Sequence, residues 1–437
     1  MRAVKSGGRR VVLAAAVAVV AGIFSYSLIE TTALRRPTGG PQLISVQELP
    51  ASGDYCEPGY DALPEGANLF DTFGETSVYA GAQDSGQTTL INRPPTRTIR
   101  DLDPIYSSVA VDLNFDEVVL MDQNNWALRI FNRTDNTPKG VPFTEPKRVV
   151  QGPETDIQYN NGIYIDPKNG DIYSVETDTG DEVVVFPREA NGNVKPARIL
   201  NTPHRGFSLA VDEERQELYV GVQHPPQVAV YRKGASGDDK PLRSLQGEST
   251  RLSDVHGIAL DQKNRQMYVT NWGHVSDSTA AGTGRFEDPS IAVYPMGASG
   301  DTAPLRVIQG SLTQLNWPAQ MSLDPDTGDM YVANDIGQSI LVFKSTDKGN
   351  VAPTRIIKGD RTGLLNPSGV FVDKKHNELW VANFGNAKVC VFPLNASGNA
   401  APIRTIRSAP EGKVSTKFGK VEALAYDSKR DQIWVPN

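Results

Sequence analysis

Cysteine and histidine are scarce in this chain: two cysteines, Cys56 and Cys390, and five histidines among 437 residues. Two cysteines make at most one bridge, which excludes a disulfide-dense scaffold, and the histidine and cysteine spacings match no compact zinc motif. Basic excess is also missing. The formal net charge is −7 and the pI is about 5.4, with no long run of like charge. A face that binds nucleic-acid phosphates needs the opposite balance, so no nucleic-acid partner is expected. No nucleophile elbow, phosphate-cradling loop or haem-attachment motif occurs. Long apolar runs are absent except for one, Val11 to Ile29.

That run follows Arg2, Lys5, Arg9 and Arg10 and carries no charge. It is long enough to cross a bilayer and longer than the usual apolar core of a cleaved signal. Two readings stay open for residues 1–30: an uncleaved signal anchor, or a signal peptide cleaved near Thr31-Thr-Ala33. Both leave the basic residues in the cytoplasm and place the rest outside it, in the periplasm or at the cell surface. Residues 31–75 are rich in Pro, Gly and Ser and read as an extracytoplasmic linker.

What the chain has in abundance is a repeated phrase. An apolar run ends in Asp, a turn follows, and a second apolar run ends in a polar residue. The Asp positions are Asp112, Asp166, Asp212, Asp261, Asp324, Asp373 and Asp427, spaced 46 to 63 residues apart. Repeats of that length built from short strand-like runs predict a β-propeller with one four-stranded blade per repeat. The third and fourth runs are joined by turns such as Ala235-Ser-Gly-Asp238 and Asn395-Ala-Ser-Gly-Asn399, where Gly supplies a positive φ. The fourth run opens with Pro-x-Arg, from Pro95 and Arg97 to Pro402 and Arg404, which suits an edge strand guarded by charge. After Asp427 only one run, Gln432–Asn437, remains before the chain ends, so the last repeat has two runs of its four. Thr76–Ala80, the turn at 84–86 and Pro95–Ile99 match the missing two. The expectation is therefore an all-β, seven-bladed propeller over 76–437, its last blade closed by strands from 76–99 and 421–437.

Four segments carry a family resemblance. The phrase Pro367-Ser-Gly-Val-Phe-Val-Asp373, Glu378-Leu-Trp-Val-Ala-Asn383 and Val389-Cys-Val-Phe392 resembles the NHL repeat. Tyr268-Val-Thr-Asn271 resembles the bacterial YVTN-type propeller repeat. The resemblance covers roughly residues 76–437. It implies a propeller whose first strands are innermost and whose ligands sit at the channel mouth. It does not imply one activity, because such propellers include protein binders, nucleic-acid binders, lyases and lactonases.

The mouth is framed by the loops leading into each first strand and those joining the second to the third. Residues ending the second strands form a ring there: Asp122, Glu176, Val222, Asn271, Asn334, Asn383 and Asn437. Their oxygens suit a hard cation such as Ca²⁺, with Glu176, Asn271, Asn334 and Asn383 as the candidate ligands. The plainer reading is that Asn and Asp at strand ends set the next turn. Four of the five histidines, His204, His224, His256 and His274, fall in mouth loops of blades 3 and 4. Clustered imidazoles suit ligand contact, a Zn²⁺ site or acid–base chemistry, with His256 and His274 the catalytic candidates. Solvated or stacking histidines are the plain alternative. Blade 4 also carries a long insertion after Asn271, with Trp272 at its base and Arg285 within it, and loops that outgrow a fold's need tend to bind. Cys390 reads as a small core residue, or as one end of a Cys56–Cys390 bridge.

Two functions remain. One is an exported, membrane-tethered binding module that takes a protein, peptide or glycan at the mouth. The other is a metal-dependent lactonase or lyase working at the same place.

Overall fold

Short β-rich runs closed by Asp, Asn and Gly turns become antiparallel strands along the whole described chain. A computed structural model describes residues 96–99, 106–406 apart from 124, 142, 178, 276–283, 325 and 387, and 423–435. The chain divides into two units, 1–73 and 74–437. The apolar run 11–29, the linker and Cys56 lie outside the described residues. Among those described, no helix is long and apolar enough to cross a membrane.

Six four-stranded antiparallel sheets follow one another, each a simple meander. Blade 1 is Tyr106–Asp112, Glu117–Asp122, Ala127–Asn132 and Arg148–Gln151. Blade 2 is Tyr159–Ile165, Ile172–Thr177, Glu182–Phe186 and Arg198–Asn201. Blade 3 is Gly206–Asp212, Glu217–Val222, Gln227–Arg232 and Arg243–Leu245. Blade 4 is Val255–Asp261, Gln266–Asn271, Ser290–Pro295 and Arg306–Gln309. Blade 5 is Pro318–Leu323, Asp329–Asn334, Ser339–Lys344 and Arg355–Lys358. Blade 6 is Pro367–Asp373, Glu378–Asn383, Lys388–Pro393 and Arg404–Ile406. First strands of successive blades pack against one another, so they form the inner ring. The apolar cores lie between blades rather than within them. Tyr219, Val228 and Val230 of blade 3, for example, pack on Val269, Ala292 and Tyr294 of blade 4. Middle strands are therefore buried on both faces, which is why they read as unbroken apolar runs.

The propeller has six blades, not seven. Among the described residues, the seventh phrase forms only a two-stranded sheet, Ala425–Asp427 with Gln432–Trp434. Thr96–Ile99, expected as its outer strand, is described and forms no strand, and residues 76–95 lie outside the described residues. Two features work against a ladder there. The two paired strands are three residues each, and the consecutive Pro94 and Pro95 withhold two backbone donors. The small sheet still packs by its side chains. Ala423, Ala425 and Trp434 meet blade 1, and Leu424 and Val435 meet blade 6.

Every repeated Asp caps its own turn. Asp112 Oδ1 accepts the Asn114 and Phe115 amides, Asp212 those of Glu214 and Arg215, and Asp427 that of Arg430. The Pro-x-Arg arginine does something the sequence reading missed. It does not stand on the edge as a solvent-facing guard but reaches inward across the third strand to the start of the second. Arg148 makes two bonds of 2.7 Å to the Glu117 carboxylate, and Arg243 and Arg404 hold Glu217 and Glu378 by both oxygens. Arg306 meets the neutral Gln266 at 2.7 Å. The same guanidinium lies over an aromatic ring two residues further on, such as Tyr219, Tyr268, Tyr331 or Trp380, at 5.2 to 5.7 Å. It also donates to the next blade: Arg198 to Ala235 O at 2.9 Å, Arg243 to Met296 O at 2.9 Å and Arg355 to Leu394 O at 2.8 Å.

A second latch joins the same neighbours. In blades 2 to 6 the glycine of the third-to-fourth turn bridges the outer strand of the preceding blade: Gly192 with Val150, Gly237 with Leu200, Gly300 with Leu245, Gly349 with Ile308 and Gly398 with Ile357. The residue after it caps the loop that leaves that strand. Asn193 accepts the Glu154 amide, Asp301 that of Ser249, Asn350 that of Leu312 and Asn399 that of Arg361.

Removing Arg404 leaves the Glu378 charge nearly buried and unpaired, whereas removing Arg306 leaves a neutral amide. Arg404→Ala is expected to lower unfolding stability in urea by about 1–3 kcal/mol, and Arg306→Ala by clearly less. Equal losses would contradict the ion-pair role.

Candidate functional site

The second-to-third turn and the segment leading into the first strand lie at the same end of each meander, so their side chains meet at one mouth face. The expected oxygen ring does the work of turns there. Asp122 accepts Asn125 N at 3.0 Å and pairs with Arg129 Nε at 2.9 Å. Asn271 Oδ1 takes the Ser253 amide at 3.1 Å, Asn334 Oδ1 that of Asn316 at 2.6 Å and Asn383 Oδ1 that of Leu365 at 3.2 Å. Each carboxamide thus ties the segment before the first strand to the end of the second. Val222 brings no oxygen, and Asn437 lies outside the described residues.

Glu176 is the exception in character. It is fully buried, accepts Ser174 Oγ at 2.6 Å and Gln158 N at 2.8 Å, and has no cation beside it among its described partners. Burial pushes its carboxyl up to about 7, and burial together with Asp156 and Asp181 does the same to nearby Glu182.

The four histidines separate into three settings. His204 Nδ1 pairs with Asp181 at 2.9 Å, beside the blade 2 acids. His256 is buried and sandwiched. Its ring stacks on Trp272 with centroids 3.2 Å apart and leans on Phe207 at 4.3 Å. Trp272 in turn stacks on Trp317 at 4.3 Å and donates Nε1–H to Pro318 O at 3.0 Å. The result is a four-ring pile, Phe207–His256–Trp272–Trp317, running from blade 3 across blade 4 to blade 5. Gln223 Nε2 lies 2.8 Å from His256 Nε2. An amide nitrogen only donates, so in this orientation of Gln223 the ring nitrogen accepts. Burial lowers the His256 pKa against the pull of Asp254, which agrees with a neutral ring. With both ring faces covered, His256 is a structural part of the pile rather than a free acid or base.

His224 and His274 form the third setting. Their rings meet edge-on at 5.1 Å, and His274 also stacks on Phe286 at 4.9 Å. The insertion positions His274: His274–Val275 pairs with Arg285–Phe286 as a short hairpin. Arg285 bonds Glu287 at 3.1 Å on the exposed side of that loop. Burial lowers the His224 pKa, with Asp254 opposing. Asp254 completes the group: one ligand atom from each of His224, Asp254 and His274 lies within 4.8 Å of the others. Asp254, Phe207 and Trp317 were not singled out from sequence. A tryptophan or carboxylate directly before a first strand, offset from the repeat, was the available signal.

Cys390 is fully buried in the core between blades 5 and 6, its Sγ 3.8 Å from Gly363 O, and burial pushes its thiol up to about 11. Its considered partner, Cys56, lies outside the described residues.

Apolar side chains gather around this mouth. Trp126, Tyr159, Phe286, Trp317, Ile336 and Leu365 are all exposed, and all sit in or next to mouth loops. Phe286 is 81% exposed and Trp317 is 41% exposed.

No family model and no curated protein matches the chain. Among solved structures, the protein is similar to the crystal structure of the WD40 β-propeller domain of Doa1, with a TM-score of 0.55 and 11% identity over 78% of this chain and 92% of that one. The fold is a β-propeller. At that identity the likeness speaks for the fold and leaves the activity to be argued from the mouth.

Glu176 gives that mouth a pH signature. Its folded pKa, about 7, lies above its ordinary 4.5, so the stability tied to its neutral form is complete below about pH 4.5 and is lost as pH rises through 7. Glu176→Gln is expected to reduce the drop in unfolding stability between pH 5 and pH 8 by up to about 3 kcal/mol. Denaturant titrations at both values measure it; an unchanged drop would contradict a buried carboxyl without a neighbouring cation.

Proposed function

We propose that the protein is a binding module of the NHL or YVTN propeller type, exported and tethered by its N-terminal apolar run, that presents its mouth face to a protein or peptide. Propellers commonly serve as interaction scaffolds, and the observation that carries this reading is the exposed apolar set at one face. Exposed aromatic side chains around a propeller's mouth supply the anchors that partner sites use. The pile of rings under Trp317 makes that tryptophan a rigid anchor with little entropy left to lose on binding. The repeat phrases at 367–392 and 268–271 support the family type, and the basic residues before Val11 support export.

The enzymatic alternative draws on the histidines. His256, buried and stacked on Trp272, is poorly placed to meet a substrate, and this favours partner binding.

Peptide-library selection on the immobilised protein tests it. Enriched peptides are expected to be apolar, and to lose about tenfold or more in affinity with Trp317→Ala or Phe286→Ala. Phe115→Ala, at the opposite end of blade 1, is expected to leave them bound. Peptides indifferent to both mouth changes would count against this face.

A further inference from the structure

We infer that His224, Asp254 and His274 form a binding site for a divalent first-row transition ion of the zinc class. This goes beyond the partner-binding reading, which needs no ion. Three observations carry it. First, two imidazoles and a carboxylate from three separate mouth segments converge, with one ligand atom from each inside a 4.8 Å span. Zinc–ligand bonds of about 2.0–2.2 Å place such atoms roughly 3.3–3.6 Å apart in a tetrahedron. His274, on the short insertion hairpin, is the member able to close the remaining gap.

Second, Asp254 is short of a partner. It is 8% exposed, and its Oδ1 is buried without a hydrogen bond. That atom lies 3.2 Å from His256 Nε2, which also faces the Gln223 carboxamide at 2.8 Å; with the Gln223 amide donating, this ring nitrogen has no proton left for Asp254. A buried carboxylate oxygen facing a lone pair is costly, and a cation at the His224–His274 side removes the cost. Third, the donor set is nitrogen-rich. Two imidazoles with one carboxylate suit zinc and its neighbours, whereas Ca²⁺ takes six to eight oxygens. Three protein ligands leave a fourth position for water or for a donor from a bound partner.

The other described group of this kind sharpens the contrast. Asp373, His376 and Asp431 also lie close together, but on the opposite face. Both Asp373 oxygens already bond His376, through its backbone amide and its Nδ1, and Lys375 holds Asp431 at 2.6 Å. That set is satisfied without an ion.

Titration calorimetry of the purified full chain, stripped with chelator and then given Zn²⁺, tests the site. About one equivalent is expected to bind. His274→Ala and Asp254→Asn are each expected to weaken binding by about tenfold or more, and His376→Ala to leave it unchanged. Co²⁺ in place of Zn²⁺ is expected to give the intense visible absorption of a low-coordinate ion, lost in His274→Ala. His274 sits on a surface hairpin, so its removal is expected to leave the melting temperature of the metal-free chain unchanged. No binding, binding indifferent to His274→Ala and Asp254→Asn, or binding lost with His376→Ala would overturn the proposal.

Discussion

The structure depends on how one blade is fastened to the next. A four-stranded meander has two apolar faces and an exposed outer strand, and neither is stable alone. Here the outer-strand arginine closes both problems at once. It pins its own strand to the second strand through Glu117, Glu217 or Glu378, and it donates to a carbonyl of the following blade. The Gly-Asn or Gly-Asp turn of that following blade then pairs with the outer strand and caps its exit loop. The inner strands are held by apolar packing and by bonds such as Thr270 Oγ1, on the second strand of blade 4, to Ala319 O, on the first strand of blade 5, at 2.7 Å. Because seams carry the cores, a loop at the mouth can vary without disturbing any blade's own ladder.

Much of this scaffold was legible in the sequence. The Asp-ended runs, the Gly turns and the Pro-x-Arg pairs are short-range signals, and they mark strands that the structure forms in six blades. What was not legible was where the arginine points. Its partner lies 26 residues back in the chain for Arg243 and 40 back for Arg306, and alternates among Glu, Gln and Asp, so no local pattern exposes it. The count of blades failed for a related reason. The phrase used for counting covers only the first two strands, and those are all that the last repeat forms among the described residues.

The mouth was legible in part. Aligning the repeat placed four histidines in one sector of blades 3 and 4, and the structure brings three of them close together. It could not say that His204 turns to Asp181, that His256 is buried between rings, or that His224 and His274 share Asp254. Those outcomes depend on side-chain direction at strand ends, where one residue's shift changes the face. The oxygen ring looked like a cation site because Asn recurs, yet recurrence is the mark of scaffold: each Asn holds the same backbone amide in its own blade. What does not recur, Asp254, Trp317 and the insertion hairpin, is what gathers beside the histidines.

The central contention is that function sits where the chain departs from its repeat. An anomalous difference map from crystals soaked in Zn²⁺ addresses it most directly. A single strong peak is expected among His224, Asp254 and His274, with none at the repeated Asn271, Asn334 and Asn383. Density at the repeated positions and none among the three departing residues would contradict it.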